Sequence, residues 1–307
     1  VSRPLLLVDT ASLYFRAYFG IPESAVTAPD GTPVNAVRGF LDMLATLVRT
    51  RRPGRVVCAL DFDWRPAWRV ALLAGYKAHR LAADGGEQTP DGLSRQVPII
   101  LDVLDALGVP AVGVAGYEAD DVIGTLATHE PGPIEVVSGD RDLFQLIDDD
   151  RTVRVLYCGR GVSKLEVYDD ATLRGRYGVP AAAYADFAAM RGDPSDGLPG
   201  VAGVGEKTAA RLIHRYGSLA GVLAALDDPA AGFAPGLRAK LEASRDYLDV
   251  APEVVRVARQ VPVPPVDGRL PVAAEGERVL ALGEKWNIAG ALRRAVDALT
   301  APASADR

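Results

Sequence analysis

Short apolar runs that each end in an acid punctuate the chain. Residues 5–8 read LLLV and stop at Asp9; residues 56–60 read VVCAL and stop at Asp61, with Asp63 two residues on. Ala111 to Val114 leads through Gly116 to Glu118, and Ile134 to Val137 leads to Asp140. Continuous runs of four or five apolar residues are expected of strands covered on both faces. Between them the period changes to three and four. Leu13, Tyr14, Ala17 and Tyr18 form one such stripe, and Val37, Phe40, Leu41, Leu44 and Leu47 a second. Val97, Ile100, Leu101, Leu104 and Leu107 form a third, and Ala119, Val122, Ile123 and Leu126 a fourth. These are amphipathic helices. Alternating strands and helices predict an α/β fold with a mostly parallel central sheet flanked by helices.

The later chain is organised differently. Thr152 to Tyr157 reads as another strand, and Gly178-Val179-Pro180 as a boundary. Residues 181–250 are helical, while 251–307 carry a Pro-rich crossing (VPVPPVDGRLPV), an amphipathic helix around Leu292 and an expected disordered tail. The predicted organisation is an α/β core over 1–180, a helical subdomain over 181–250, and a segment over 251–307 that packs back on the core. Residues 21–35 and 81–95, rich in Gly, Pro and Asp, read as loops, the second expected to be mobile.

At 307 residues, 49% hydrophobic and 24% charged, the length suits one large domain with a smaller appendage. Apolar segments stop well short of the ~20 residues that span a bilayer, and no secretory pattern opens the chain. The expectation is a cytoplasmic protein with no membrane partner. Cys58 and Cys158 cannot build a disulfide framework, and their apolar settings predict inert core thiols. A net charge of −6 argues mildly against a phosphate-backbone ligand, unless the acids are gathered in one place. The basic cluster Arg49, Arg51, Arg52 and Arg55 reads as a solvated helix terminus.

Gathered acids are what the pattern implies. Asp9, Asp61, Glu118 and Asp140 fall at or just past strand ends, so a parallel sheet brings all four to one edge, where open α/β sheets bind ligands. Any one of them could be a helix N-cap; four, with Asp120, Asp121 and Asp142 beside them, form a cluster. Two carboxylates ~4 Å apart repel by roughly 4 kcal/mol at an effective dielectric of 20. An all-oxygen set of this kind favours Mg²⁺ or Mn²⁺ over zinc. Glu118 and Asp120, two apart, would point to opposite sides of a regular helix, so both reach one cluster only if Glu118 precedes the helix.

Further on, Gly200-Val-Ala-Gly203-Val-Gly205-Glu-Lys207-Thr208 looks like a Walker A loop. Glu206 separates glycine from lysine and no strand precedes it, so a tight glycine hairpin between helices, with amides free for a phosphate, is the better reading.

Taken in order, LLLVD at Leu5–Asp9, LD at Leu60–Asp61, GYKAHR at Gly75–Arg80, GYEADD at Gly116–Asp121, SGDRDLFQL at Ser138–Leu146 and GDPSDGLPGVAGVGEKTA at Gly192–Ala209 resemble the 5′ nuclease family. That group includes the 5′-3′ exonuclease domain of bacterial DNA polymerase I, stand-alone relatives, the phage 5′ exonucleases and the flap endonucleases. The resemblance implies a metal-dependent hydrolase cutting branched or flapped DNA with free 5′ ends, leaving 5′-phosphate and 3′-hydroxyl products. It implies one divalent ion at Asp9, Asp61, Glu118 and Asp120, and a second at Asp120, Asp140, Asp142 and Asp193, with Asp121 and Asp196 nearby. Lys77 and Arg80 would polarise the phosphate from the base of a helical arch at about 77–100, and Tyr76 would either stack on a base or lie buried as a core residue. The glycine hairpin resembles the family's helix–three-turn–helix. There Gly203, Gly205, Lys207 and Thr208 would contact duplex backbone, and K⁺ would sit near Val201 and Val204. A DNA polymerase or ligase as partner, a monomeric state and action at the nucleoid belong to the same resemblance. Gly197 departs from the Asn usual in the bacterial family. Two other classes fit the residues less well. A binding paralogue with little catalysis would have lost acids, and all are present. A small-molecule phosphatase of the haloacid-dehalogenase type would need a DxD pair, which Asp9-Thr10-Ala11 does not supply.

Overall fold

The computed structural model describes residues 2–83, 85–271 and 276–301; the expected tail from 302 onward and residue 84 of the expected arch lie outside them. Its centre is a six-stranded sheet. Strand β1 (Leu5–Asp9) feeds α1 (Thr10–Gly20), then α2 (Asn35–Arg51) and β2 (Arg55–Ala59). Helices α3 (Ala67–Leu72), α4 (Asp91–Ser94) and α5 (Val97–Ala106) lead to β3 (Ala111–Val112), α6 (Ala119–His129) and β4 (Ile134–Ser138). Strands β5 (Val153–Tyr157) and β6 (Glu166–Tyr168) and helix α7 (Asp170–Tyr177) complete this part. The strand order is β3-β2-β1-β4-β5-β6, parallel except for the β5–β6 pair at one edge.

Alternation along the strands divides the core in two. Leu5, Leu7, Val57, Ile134, Val136, Val153 and Val155 face α6 and a second set of helices: α8 (Tyr184–Arg191), α9 (Glu206–Tyr216), α10 (Leu219–Leu226), α11 (Pro235–Ala243) and α12 (Arg245–Val255). Leu6, Val8, Val56, Cys58, Val137 and Leu156 face α2, α5, α13 (Glu277–Lys285) and α14 (Ala289–Thr300). The last helix lies along α2. The Pro-rich segment passes beside β2, where the Val56 amide donates to the Gly268 carbonyl at 2.7 Å.

Several sequence expectations meet local physics here. Both cysteines are buried, Cys58 with its thiol pushed up to about 12 and Cys158 to about 11 by burial. Of the basic cluster, Arg51 pairs with buried Glu135 and Arg55 with Glu130, so these cations answer acids of the fold. The expected strand at 111–114 is reduced to two residues. The expected arch, about 77–100, ends in the first turn of α5. Its described residues hold a 3₁₀ turn (Ala78–Arg80), an antiparallel bridge between Leu81 and Glu87, and the one-turn helix α4, whose Leu93 is buried. Two glycines in succession, a proline and little periodicity between 81 and 95 leave nothing to propagate a long helix. Among the described residues, no helix is long and apolar enough to cross a membrane.

Candidate active site

Register decides which acids meet. Asp9 is level with Ala59, and Val8 with Val137, so Asp9, Asp61 and Asp140 leave the sheet at one edge. Helix α6 begins at Ala119, which leaves Glu118 as its extended N-cap, ahead of the helix as the two-residue spacing required. Asp9, Asp61, Glu118, Asp120, Asp140 and Asp193 line a single cavity of about 770 Å³, with Lys77 and Arg80 on its rim. Asp142 and Asp196 stand behind this wall, each within electrostatic reach of Asp140.

Local bonding fixes each acid. Asp9 caps α1, accepting the Ser12 amide at 3.1 Å and the Ser138 hydroxyl at 2.6 Å. Asp61 accepts the Ala119 amide at 2.8 Å, tying β2 to α6. Asp140 accepts the Asp142 amide at 2.8 Å, and Asp193 accepts the Ser195 amide at 2.9 Å. Asp196 accepts from Arg80 at 3.1 Å, while its carbonyl takes the Lys77 amide at 2.9 Å. The backbone at Lys77 is left-handed, φ +47°, an uncommon conformation for a residue with a side chain. It turns the ammonium to donate to Glu118.

The electrostatics follow from crowding. Burial, then Asp140, Asp9 and Glu118, hold Asp120 well above the ordinary carboxylate range. Burial, then Asp140, Asp196 and Asp193, do the same to Asp142. Burial also raises Asp9, Asp61, Asp140 and Asp196. Lys77 is held well above its usual value: burial opposes its charge, and Glu118 outweighs that.

These donors suit hard divalent cations. All are carboxylates, they repel one another, and Asp142 Oδ1 is buried without a hydrogen-bond partner. Among the described residues, no three His, Cys, Asp or Glu side chains close on one point. The acids instead ring the cavity, an arrangement suited to ions that keep part of their water shell, as Mg²⁺ does.

Two expected site residues lie elsewhere. Asp121 is fully buried, its oxygens taking the Arg69 guanidinium at 2.7 and 2.8 Å and the Ala258 amide at 2.7 Å. One helix position past Asp120, it points inward, so it is not part of the ion-facing group. Tyr76 is only 4% exposed and its hydroxyl donates to Glu118 at 2.8 Å, so its ring cannot reach a base. Arg69, which also pairs with Glu118, was missed from sequence, where it is one arginine in an amphipathic stretch. Glu87 was missed too: it leaves the loop after Arg80, 3.9 Å from that guanidinium, and lines the cavity.

The hairpin before α9 forms as a turn with left-handed glycines, Gly200 at φ +63° and Gly203 at φ +75°. A Cβ on Gly200 would stand 2.6 Å from the Arg191 carbonyl, so only glycine permits this approach. Val201 and Val204 are buried, and the Val201 carbonyl accepts the Val204 amide at 2.9 Å. Gly203, Gly205 and Lys207 are exposed at the entrance to α9, with Thr208 half-buried. Lys240 of α11 leans over Gly203, a cation the motif did not announce. Gly197, φ +72°, meets the 75–77 turn so closely that a Cβ there would stand 2.4 Å from the Gly75 carbonyl oxygen.

Comparison with known proteins agrees with this architecture. The model of the 5′-3′ exonuclease N-terminal resolvase-like domain matches residues 4–178, and that of the 5′-3′ exonuclease C-terminal SAM fold matches 179–273. A 5′-3′ exonuclease of Streptomyces coelicolor is 56% identical over 302 residues, covering 96% of this chain and 100% of its own. One from Mycobacterium tuberculosis is 50% identical over 311 residues, covering 96% and 98%. The bacteriophage T5 D15 flap endonuclease, solved as a pseudo-enzyme–product complex with DNA and metal ions, shares the fold. Its TM-score is 0.64 at 18% identity, over 97% of this chain and 99% of that one. Two domain models that meet end to end, and two near-full-length relatives sharing half or more of their positions, place this chain in the 5′-3′ exonuclease family.

Proposed function

We propose that the chain is a structure-specific 5′ nuclease, a 5′-3′ exonuclease and flap endonuclease for branched DNA, dependent on Mg²⁺ or Mn²⁺. The observation that carries it is the convergence of seven carboxylates with Lys77 and Arg80 on one cavity at the carboxyl edge of the sheet. Asp9, Asp61, Glu118 and Asp120 would hold one ion, and Asp120, Asp140, Asp142 and Asp193 a second, with Asp196 in support. Ions so held supply the charge that clamps a scissile phosphate and lowers the pKa of an attacking water.

The chain's own residues do the rest. Lys77, kept charged by Glu118, and Arg80, steered by Asp196, present cations to a phosphate entering beneath the 81–95 loop. The first-turn amides of α9 with Lys207, Thr208, Gly203 and Gly205 grip duplex backbone without reading sequence. A K⁺ ion at the carbonyls of Val201 and Val204 belongs to the same reading. So do action at the nucleoid as a monomer and cooperation with a polymerase or ligase.

A 5′-flap duplex labelled at the flap end tests this, with and without each metal and with Asp120→Asn alongside. Metal-dependent release of the intact flap, lost in the variant, is the expected result. Mononucleotides in place of the flap would leave only the exonuclease, and tight binding with no cutting under either metal would overturn the proposal.

A further inference from the structure

Beside Asp193, four buried polar atoms make no hydrogen bond of ordinary length: Asp142 Oδ1, Tyr184 Oη, and Nη1 and Nη2 of Arg191. Buried polar groups are nearly always paired, so four such atoms in one neighbourhood ask for a cause. Arg191 is the cation facing Tyr184, close enough for a weak hydrogen bond to its hydroxyl, and Asp142 lies within electrostatic reach of the same guanidinium. The Arg191 side chain is 10% exposed and lies over the Phe187 ring, 5.4 Å away. Its Nε donates to the Gly192 carbonyl at 3.2 Å. The two terminal nitrogens divide between two acids: Nη2 is 3.6 Å from Asp193 and Nη1 is 4.0 Å from Glu206. Both distances are too long for a hydrogen bond.

The two acids belong to different machinery. Asp193 faces the cavity, whereas Glu206 is the first residue of α9, next to Lys207 and Thr208. Two cations stand 4.0 Å from Glu206, the half-exposed Arg141 of the cavity wall and the more buried Arg191, and Arg191 is the one also drawn to Asp193, fully committed to neither acid. Resting on the nuclease function proposed above, we propose that Arg191 is a positioning residue that couples the hairpin to the inner acids. Its guanidinium is the countercharge of Asp193 and Asp142 while they hold no ion. It goes over to Glu206 when they do, setting the start of α9 for duplex. Because coupling between two binding events is reciprocal, duplex on α9 then favours ions at the inner acids to the same degree.

The test is duplex affinity, read by fluorescence anisotropy of a flap-bearing duplex on the full chain, in EDTA and in saturating Ca²⁺ as the probe ion. Wild-type protein is expected to bind about tenfold tighter with Ca²⁺, within the usual range of coupling. In Arg191→Met that gain should fall below about twofold, with Arg191→Lys in between and Glu206→Gln following Met. Thermal unfolding in EDTA reads folding separately, and if Arg191→Met does not fold, Glu206→Gln decides the question in its place. An unchanged gain in either folded variant overturns the coupling. Wild-type protein that cuts flaps with Mn²⁺ but shows no Ca²⁺ gain overturns the coupling alone. Wild-type protein that neither binds nor cuts overturns the nuclease function and the coupling with it.

Discussion

On the first turn of α6, Asp121 turns inward to Arg69 while Asp120 turns outward to Asp140, Asp9 and Glu118. Beneath the cleft, every charge is answered. The Arg69 guanidinium takes Asp121 and Glu118 and donates to the Val254 carbonyl at 3.0 Å, and the Ala258 amide closes the other side of Asp121. Within the cleft, carboxylates face carboxylates. The difference separates what holds the protein together from what the protein holds ready, and neighbouring residues of one type serve opposite ends.

Removing Asp121 should break this contrast most forcefully. Asp121→Asn leaves part of a buried guanidinium unanswered, and breaking such a pair costs about 3–5 kcal/mol, read as a lower midpoint in urea unfolding. Asp120→Asn should act with the opposite sign. In EDTA at neutral pH it relieves repulsion and raises the melting temperature by about 2–4 °C for each kcal/mol regained. The pH dependence follows from the raised carboxyl. Stability tied to that group is fully present below the ordinary carboxylate value of about 4 and is lost as pH rises through its raised value in the fold. Melting curves in EDTA should therefore fall with pH more steeply for wild-type protein than for Asp120→Asn, and saturating Mg²⁺ should erase the difference. Tyr76→Phe sharpens the contrast at its border, since the hydroxyl serves Glu118 from below. It should cost about 1 kcal/mol, and a loss of flap cleavage with no loss of stability would contradict its place in the core. The smallest effect belongs to the exposed hairpin. Lys207→Ala should leave stability unchanged and reduce the slope of log affinity against log salt by about 1.

Much of this was legible in the chain because it depends on local order. An apolar run followed by an acid, repeated four times, specifies both the sheet and the edge at which the acids gather. The two-residue spacing of Glu118 and Asp120 specified where α6 begins. Asp121 was legible in part. Three residues after Glu118 it sits where a capping box places its acid, and its oxygen accepts the Glu118 amide at 3.2 Å. What could not be read is the partner, because Arg69 meets it from 52 positions away. Glu87 escaped for a related reason. A polar, glycine-rich stretch reads as loop, and only the bridge from Leu81 to Glu87 directs that carboxylate inward.

The contact between Gly197 and Gly75 fixes a dimension. The loop carrying Asp193 and Asp196 touches the turn carrying Lys77 and Arg80 main chain to main chain, and the Lys77 amide donates to the Asp196 carbonyl at 2.9 Å. A side chain on Gly197 would act as a wedge, and Gly75 has no side chain to yield. Acids and bases on that side of the cleft therefore travel as one jaw, and Glu87, 3.9 Å from Arg80 and bridged at Leu81, travels with them.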